Sequence, residues 1–197
     1  MSIARMGLML TLSALAPIAA ADVFEYKFIL TGCAEVPPID TDATGTALVV
    51  IDTDTGEVTV EGEFSGLLGD VTAAHIHSPA TKDETAGISF GLQVDGDTSG
   101  TISGTGIIND VILGHILDGL AYVNVHSTEN ASGEIRGQIM PFCPGDHNCD
   151  GVKNILDFVD FQSDWVDNDC SADANDDGNF DILDFVAFQG LFQQPCD

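Results

Sequence analysis

Two segments near the C-terminal end carry oxygen-bearing side chains at alternate positions, an arrangement typical of calcium-binding loops. The first segment runs from Asp146 to Asp157, and the second runs from Asp173 to Asp184. A glycine stands at the sixth position of each, where such a loop must turn sharply. Calcium takes about six to eight hard oxygen ligands, and carboxylates gathered closely repel one another unless a cation neutralises them. The spacing therefore predicts two calcium ions.

Each loop supplies side-chain oxygens and one backbone carbonyl oxygen at the seventh position. The predicted ligands of the first loop are Asp146, Asn148, Asp150, the carbonyl of Val152, Asn154 and Asp157. Those of the second loop are Asp173, Asn175, Asp177, the carbonyl of Asn179, Asp181 and Asp184. Residues 146–166 align with residues 173–193 through this frame and through a shared Ile-Leu-Asp-Phe-Val sequence, which indicates an internal duplication.

Three histidines on predicted strands form a second candidate site. His75 and His77 alternate with Ile76, and His126 lies on a later strand in which valines alternate with polar residues. Successive side chains of a strand point to opposite faces, so the histidines share a polar face if the apolar residues face the core. Three imidazoles suit copper or zinc, and an open fourth position would permit chemistry. The alternative is that these histidines hydrogen-bond loops or cap strand ends.

Other residues of these types are expected to have different roles. His115 lies in a predicted helix and His147 lies within a calcium loop, so neither is expected to join the three histidines. Arg136 occurs beside Glu134, and we expect a structural ion pair there rather than a binding site.

The histidines belong to a region, residues 22–140, in which apolar and polar residues alternate as in β-strands. Strands are predicted at residues 24–30, 45–52, 57–64, 71–78, 87–94, 99–107, 120–126 and 134–140. Residues 53–56 predict a hairpin turn, and residues 109–117 predict a short helix capped by Asn109 or Asp110. About eight short strands separated by turns predict an all-β sandwich or barrel.

The calcium loops belong to a second region, residues 146–197, separated from the first by a predicted linker at residues 141–145. Apolar residues at helical spacing follow each loop, so each unit is a loop followed by a helix. The aromatic residues at these positions are Phe158, Phe161, Trp165, Phe185, Phe188 and Phe192. They could form a partner surface or the core of this small region, and we favour the core.

The N-terminal segment predicts export. Arg5 precedes an apolar run at residues 7–16, and small residues lead to an expected cleavage after Ala21, so that residues 1–21 form a signal peptide. We therefore expect a secreted, extracellular protein, with no membrane span in the mature chain. Asp and Glu number 32 against five Lys and Arg. This charge disfavours binding to nucleic acid or to anionic membranes.

Five cysteines are compatible with disulfides in an exported protein. We favour Cys143–Cys196, which would join the two ends of the C-terminal region, and Cys149–Cys170, which would join its two loops. This arrangement leaves Cys33 without a partner.

The paired loop–helix units resemble the dockerin module over residues 143–197. The resemblance implies calcium-dependent attachment to cohesin-like or cell-surface proteins and a bacterial source. In cellulosomal members, polar recognition residues usually occupy loop positions ten and eleven, where this chain has Ile155-Leu156 and Ile182-Leu183. The resemblance therefore supports the predicted calcium ligands, but it does not imply that the partner is a cohesin.

The first region contains motifs that resemble the CHRD domain of chordin and of secreted bacterial proteins. They are EVPP at 35–38, ATGTA at 43–47, FSGL at 64–67, AHIHSPA at 74–80, AYVNVHS at 121–127 and GEIRGQI at 133–139. The resemblance implies an immunoglobulin-like or superoxide-dismutase-like β-sandwich. The expected fold class is thus mostly β, with this sandwich followed by a small α calcium-binding loop–helix pair.

Three functions remain open. The leading hypothesis is a secreted, non-catalytic binding or surface-associated protein. Its first region would face an extracellular ligand, the matrix or a polysaccharide, and the calcium module would attach it to a partner or cell surface. The second is an extracellular copper or zinc protein using His75, His77 and His126. The third is an accessory subunit of a polysaccharide-degrading complex, although the chain shows no evident acid pair for glycoside hydrolysis. No catalytic residue is assigned.

Overall fold

Eight strands and three α-helices form in the part of the chain that the computed structural model describes, residues 22–140, 143–148, 152–167, 169–175 and 179–196. The strands are β1 (Val23–Thr31), β2 (Thr44–Asp52), β3 (Glu57–Ser65), β4 (Val71–His77), β5 (Ile88–Gly96), β6 (Gly100–Ile107), β7 (Tyr122–Ser127) and β8 (Ile135–Gln138). The helices are α1 (Asp110–Leu117), α2 (Ile155–Asp167) and α3 (Ile182–Phe192), and a 3-10 turn spans Cys170–Ala172.

The predicted strands and the short helix are confirmed. Each predicted strand overlaps an observed one, and residues 53–56 form the turn between β2 and β3, where Gly56 adopts a φ of 71°. Asn109 caps α1, because its side-chain oxygen accepts hydrogen bonds from the backbone N–H groups of Val111 and Ile112. Local alternation and capping chemistry were sufficient for these predictions.

The eight strands form one closed antiparallel barrel in the order β1-β2-β3-β6-β5-β4-β7-β8. The expected sandwich is therefore wrong, because a sandwich has two separate sheets with free edges, whereas here β8 pairs with β1 at Arg136 and Thr31. A side chain at Gly137 would overlap the backbone oxygen of Ile29, so this glycine permits the close approach of β8 to β1. The expected calcium-binding loop–helix pair is also corrected: the two helices, α2 and α3, are present, but nothing in the described residues identifies them as a calcium-binding pair.

Apolar residues from all eight strands fill the barrel. Leu30, Val49, Val60, Ile76 and Val125 are fully buried in this core. On β4, β7 and β8 the outward-facing residues are also largely protected, and every residue of β7 is buried. The loops at residues 32–43, 78–87 and 128–134 contact this outer polar face.

The two C-terminal helices pack through aromatic rings. Phe161 of α2 and Phe188 of α3 stack with ring centroids 4.2 Å apart and planes 4° apart. The partly buried residues around them are Phe158, Trp165, Ala174, Phe180, Phe185 and Phe192. The expectation that these aromatic residues form a core is confirmed.

One of the two predicted disulfides is confirmed. Cys143 pairs with Cys196, but Cys170 pairs with Cys33 and not with Cys149, and the expectation that Cys33 lacks a partner is wrong. Cys149 lies outside the described residues. The loop after β1 brings Cys33 to the 3-10 turn across a sequence separation of 137 residues, a proximity that only the fold creates.

Within the described ranges, no helix has both the length and the apolar character needed to cross a membrane.

Candidate metal centre

The three histidines lie on two neighbouring strands. Strands β4 and β7 are antiparallel, with His77 opposite Tyr122, His75 opposite Asn124, and Ala73 opposite His126. The alternate residues Ile76 and Val125 belong to the barrel core. The histidine side chains therefore point to the outer polar face, as predicted from the alternation.

The pairing brings the three imidazoles into one cluster. One nitrogen from each of His75, His77 and His126 lies within 4.8 Å of the other two. The closest pair is Nδ1 of His75 and Nε2 of His126, at 3.0 Å. His77 and His126 are buried, whereas His75 is partly exposed. One side of the cluster is thus reachable from solvent.

Backbone carbonyls orient two of the imidazoles. Nδ1 of His77 donates to the oxygen of Ala86 at 2.9 Å, and Nδ1 of His126 donates to the oxygen of Ala131 at 3.0 Å. In the neutral imidazole each Nε2 is then the unprotonated nitrogen, and that of His126 lies against His75. The Nε2 atom of His77 is buried and has no hydrogen-bond partner among the described residues. Metal-binding histidines usually have this second hydrogen bond from the other ring nitrogen.

Burial lowers the pKa of all three imidazoles. For His75, the neighbouring His126 and His77 lower the pKa further, because positive charges on adjacent rings repel. For His77 and His126, burial is the largest cause and the hydrogen bonds to Ala86 and Ala131 oppose it in part. The neutral imidazole is the form that binds metal, so the environment favours the ligand state.

Glu35 and Asn124 form a polar contact beside this cluster that the sequence analysis did not identify as functional. The amide nitrogen of Asn124 donates to a carboxylate oxygen of Glu35 at 3.4 Å, and both residues are buried. Burial raises the pKa of Glu35 to about 7, although the charge of Arg136 and the hydrogen bond from Asn124 oppose this shift. The only sequence signal for Glu35 was its place in the EVPP motif.

Arg136 does not form the expected ion pair with Glu134. Its guanidinium donates to the backbone oxygens of Thr81 and Glu84 and to the side chain of Gln138. Glu134 instead accepts from Ser127, Thr41 and the backbone of Leu68. The two side chains have different partners because Glu134 precedes β8, in the loop at residues 128–134, whereas Arg136 lies on the strand itself.

A comparison with protein-family models gives one match, to the CHRD domain, over residues 26–139. This match covers more than half of the chain. The chain belongs to the CHRD domain family. CHRD domains are extracellular binding-type domains, and the two disulfides fit a secreted protein. No curated protein and no solved structure matches the chain.

The CHRD match ends before the C-terminal region, so no family match shows the resemblance of that region to a dockerin module. Of the predicted calcium ligands, Asp150 and Asp177 lie outside the described residues. The carboxylates at the twelfth loop positions, Asp157 and Asp184, are fully buried.

Asp157 and Asp184 accept hydrogen bonds from their own loops. Asp157 accepts from the backbone N–H groups of His147 at 2.9 Å and Asn154 at 2.6 Å. Asp184 accepts from the backbone N–H of Asp181 at 2.8 Å, and its other oxygen is buried without a hydrogen-bond partner among the described residues. Each carboxylate therefore organises the loop that precedes its helix.

The remaining histidines lie elsewhere, as expected. Nδ1 of His115 is 3.1 Å from the hydroxyl of Ser78. Nε2 of His147 is 2.8 Å from Asp164, which together with Asp160 forms a separate cluster of possible ligand atoms. The ammonium group of Lys82 lies 3.2 Å from Asp160 and supplies a positive charge there. This cluster is thus already neutralised in part by the protein.

Proposed function

We propose that the CHRD barrel is an extracellular binding protein for a transition metal, copper or zinc, held by His75, His77 and His126. The observation that carries the proposal is the buried Nε2 of His77, which has no hydrogen-bond partner among the described residues, in a cluster where each imidazole offers one nitrogen within 4.8 Å of the other two. A buried polar atom without a partner costs about 1 to 3 kcal/mol, and a metal ion would remove this cost.

The surroundings of the cluster support the same proposal. The carbonyls of Ala86 and Ala131 hold two imidazoles in the tautomer that leaves Nε2 unprotonated and able to bind a metal. Three neutral nitrogen ligands suit copper or zinc better than calcium or magnesium, which prefer oxygen. The partial exposure of His75 leaves a solvent-facing side where an external molecule can supply a fourth ligand.

The test is the metal content of the purified protein and its titration with Cu(II) and Zn(II). We expect one tightly bound ion per barrel, lost in His126→Ala and in His77→Ala. His115→Ala is the matched control, because His115 lies outside the cluster, and it should bind as the unaltered protein does. Binding of calcium alone, or equal copper and zinc binding in all variants, would contradict the proposal.

We also propose that the two C-terminal loops bind calcium through the ligands predicted from their sequence. The buried, unpartnered carboxylate oxygen of Asp184 supports this second proposal, because such an atom favours a cation ligand. Asp184→Asn should lower calcium affinity, whereas Asp167→Asn, at an exposed position of α2, should leave it unchanged. Equal calcium affinity in both variants would contradict this role for Asp184.

Exposed apolar residues support an attachment role for the same region. Ile155 and Ile182 occupy equivalent positions in the duplicated units and are each 70% exposed, and Val159 and Val186 are similarly open. Apolar surface of this kind is typical of protein-binding faces. We expect binding to cell-wall fractions in calcium and release in chelator, and the double variant Ile155→Ser/Ile182→Ser should reduce it. If binding to cell-wall fractions is the same in calcium, in chelator and in the double variant, attachment through this face is contradicted.

A further inference from the structure

Arg136 joins the outer face of β8 to the loop at residues 78–87. Its side chain is almost fully buried, with 2% exposure. One terminal nitrogen donates to the oxygen of Glu84 at 2.8 Å, and the other donates to the oxygen of Thr81 at 2.9 Å. A guanidinium that donates to two carbonyls of one loop restricts that loop more than a single hydrogen bond does.

The same guanidinium lies over the ring of Tyr122, 3.6 Å from its centroid. The ring of Tyr122 also stacks with the imidazole of His77, with centroids 5.0 Å apart and planes 6° apart. Because β7 lies between β4 and β8, Tyr122 lies between Arg136 and His77. The three flat groups therefore form one stack, which restricts the orientation of the His77 ring.

The loop returns to His77 at Ala86. The backbone N–H of Ala86 donates to the hydroxyl of Tyr122 at 3.3 Å, and the backbone oxygen of Ala86 accepts from Nδ1 of His77 at 2.9 Å. Arg136 thus influences His77 in two ways. It packs on the Tyr122 ring that stacks with His77, and it restricts the loop in which the carbonyl of Ala86 selects the imidazole tautomer.

We infer that Arg136 is a positioning residue for the metal ligand His77, an inference that rests on the proposed metal-binding function. Arg136 contacts neither the metal position nor the other two imidazoles in this role. It holds Nε2 of His77 toward His75 and His126 by restricting the ring plane and the tautomer. Without it, all three imidazoles remain, but the geometry of one is no longer imposed before metal binding.

The experiment compares Cu(II) affinity and the Cu(II) electron paramagnetic resonance spectrum of the full chain with those of Arg136→Lys. Lysine keeps the positive charge but loses the planar stack and the paired hydrogen bonds. We expect about 10- to 100-fold weaker binding and a changed nitrogen hyperfine pattern. Lys82→Gln is the control, because it removes a positive charge from the same loop. The ammonium group of Lys82 pairs with Asp83 and Asp160, so this variant should keep the affinity and the spectrum of the unaltered protein.

The outcomes separate the inference from the function on which it rests. Unaltered affinity and spectrum in folded Arg136→Lys would overturn the positioning role alone. Absence of His126-dependent binding in the unaltered protein would overturn the metal site and this role with it. If Arg136→Lys does not fold, Tyr122→Phe tests the influence through the loop by removing only the hydroxyl that binds Ala86. We then expect several-fold weaker binding with a changed spectrum, and unchanged values would overturn the inference.

Discussion

Cys33 and Cys170 form a disulfide that connects the loop after β1 to the 3-10 turn before α3, across 137 residues of sequence. A cross-link that closes so long a loop restricts the unfolded chain strongly, by about 4 to 5 kcal/mol on the entropy model. We predict that Cys33→Ser/Cys170→Ser lowers the free energy of unfolding by about 3 to 5 kcal/mol. Urea denaturation measures this change.

The control for this prediction is Cys143→Ser/Cys196→Ser, which opens a shorter loop of 53 residues within the C-terminal region. We expect it to leave barrel unfolding largely unchanged, because neither cysteine belongs to the barrel. A Cys33/Cys170 double variant with the unfolding midpoint of the unaltered protein would contradict the prediction.

Glu35 should make the stability fall as the pH rises through weakly acidic values. Its pKa is about 7 in the folded protein and 4.5 for the ordinary group, so the folded state holds the proton more tightly. The stabilisation is complete below pH 4.5 and is lost as the pH rises to about 7, by at most about 3 kcal/mol. Glu35→Gln should abolish this slope, and its advantage over the unaltered protein should be greatest above pH 7.

The measurement is urea unfolding at several pH values between about 4 and 8. Glu61→Gln, at an exposed position of β3, provides the matched control and should keep the slope. If Glu35→Gln and Glu61→Gln show the same pH dependence, burial does not hold the Glu35 proton.

The stability that Glu134 contributes should depend on pH in the opposite direction, because it should be lost as the pH falls. Burial alone would raise its pKa, but hydrogen bonds from Ser127, Leu68 and Thr41 outweigh burial and lower it below 4.5. A carboxylate with a lowered pKa stabilises the fold above pH 4.5, and this contribution is lost as the pH falls through the folded-state pKa. Glu134→Gln places an amide against these donors and should cost about 2 kcal/mol at pH 7.

The difference between Glu134→Gln and the unaltered protein should shrink in acid, where the native carboxylate is protonated. Thermal unfolding at pH 7 and near pH 3 tests this expectation. Glu129→Gln is the control, since Glu129 is exposed in the same loop. A constant difference across this pH range would show that the ionised form of Glu134 is not what stabilises the loop.

Gly137 should be required for closing the barrel. A methyl group at this position would overlap the backbone oxygen of Ile29 on β1. We predict that Gly137→Ala destabilises the protein by about 2 to 4 kcal/mol, because β8 must move away from β1. Gly91→Ala is the control, since a side chain there meets no atom within 4 Å. Equal unfolding midpoints for the two variants would contradict the prediction.

Several features were predictable because they depend on neighbours in the sequence. The alternation around Ile76 assigned His75 and His77 to one face, and Asn109 carried the chemistry of a helix cap. The helical spacing of Phe161 and Phe188 within duplicated units indicated their packing. The calcium ligands follow from the same duplication, and they remain predictions.

Other features depend on which distant strands meet, and the sequence did not reveal them. The resemblance implied a sandwich, which was wrong. The periodicity within each strand could not correct this expectation, because it does not show whether the last strand pairs with the first. The partner of Cys33 was missed for the same reason, since the loop after β1 meets residue 170 only in the folded chain. Arg136 was assigned to its neighbour Glu134, although its partners Thr81 and Glu84 belong to a distant loop.

The sequence by itself thus determined the strands, the face of each histidine and the donor types of the candidate sites, since local periodicity and side-chain chemistry encode them. Only the tertiary structure decided that β4 and β7 are adjacent, which brings His126 to His75 and His77. It also decided that Arg136, Tyr122 and the loop at Ala86 surround His77. Long-range pairing arises from the burial and hydrogen bonding of the whole barrel, which no short segment specifies alone.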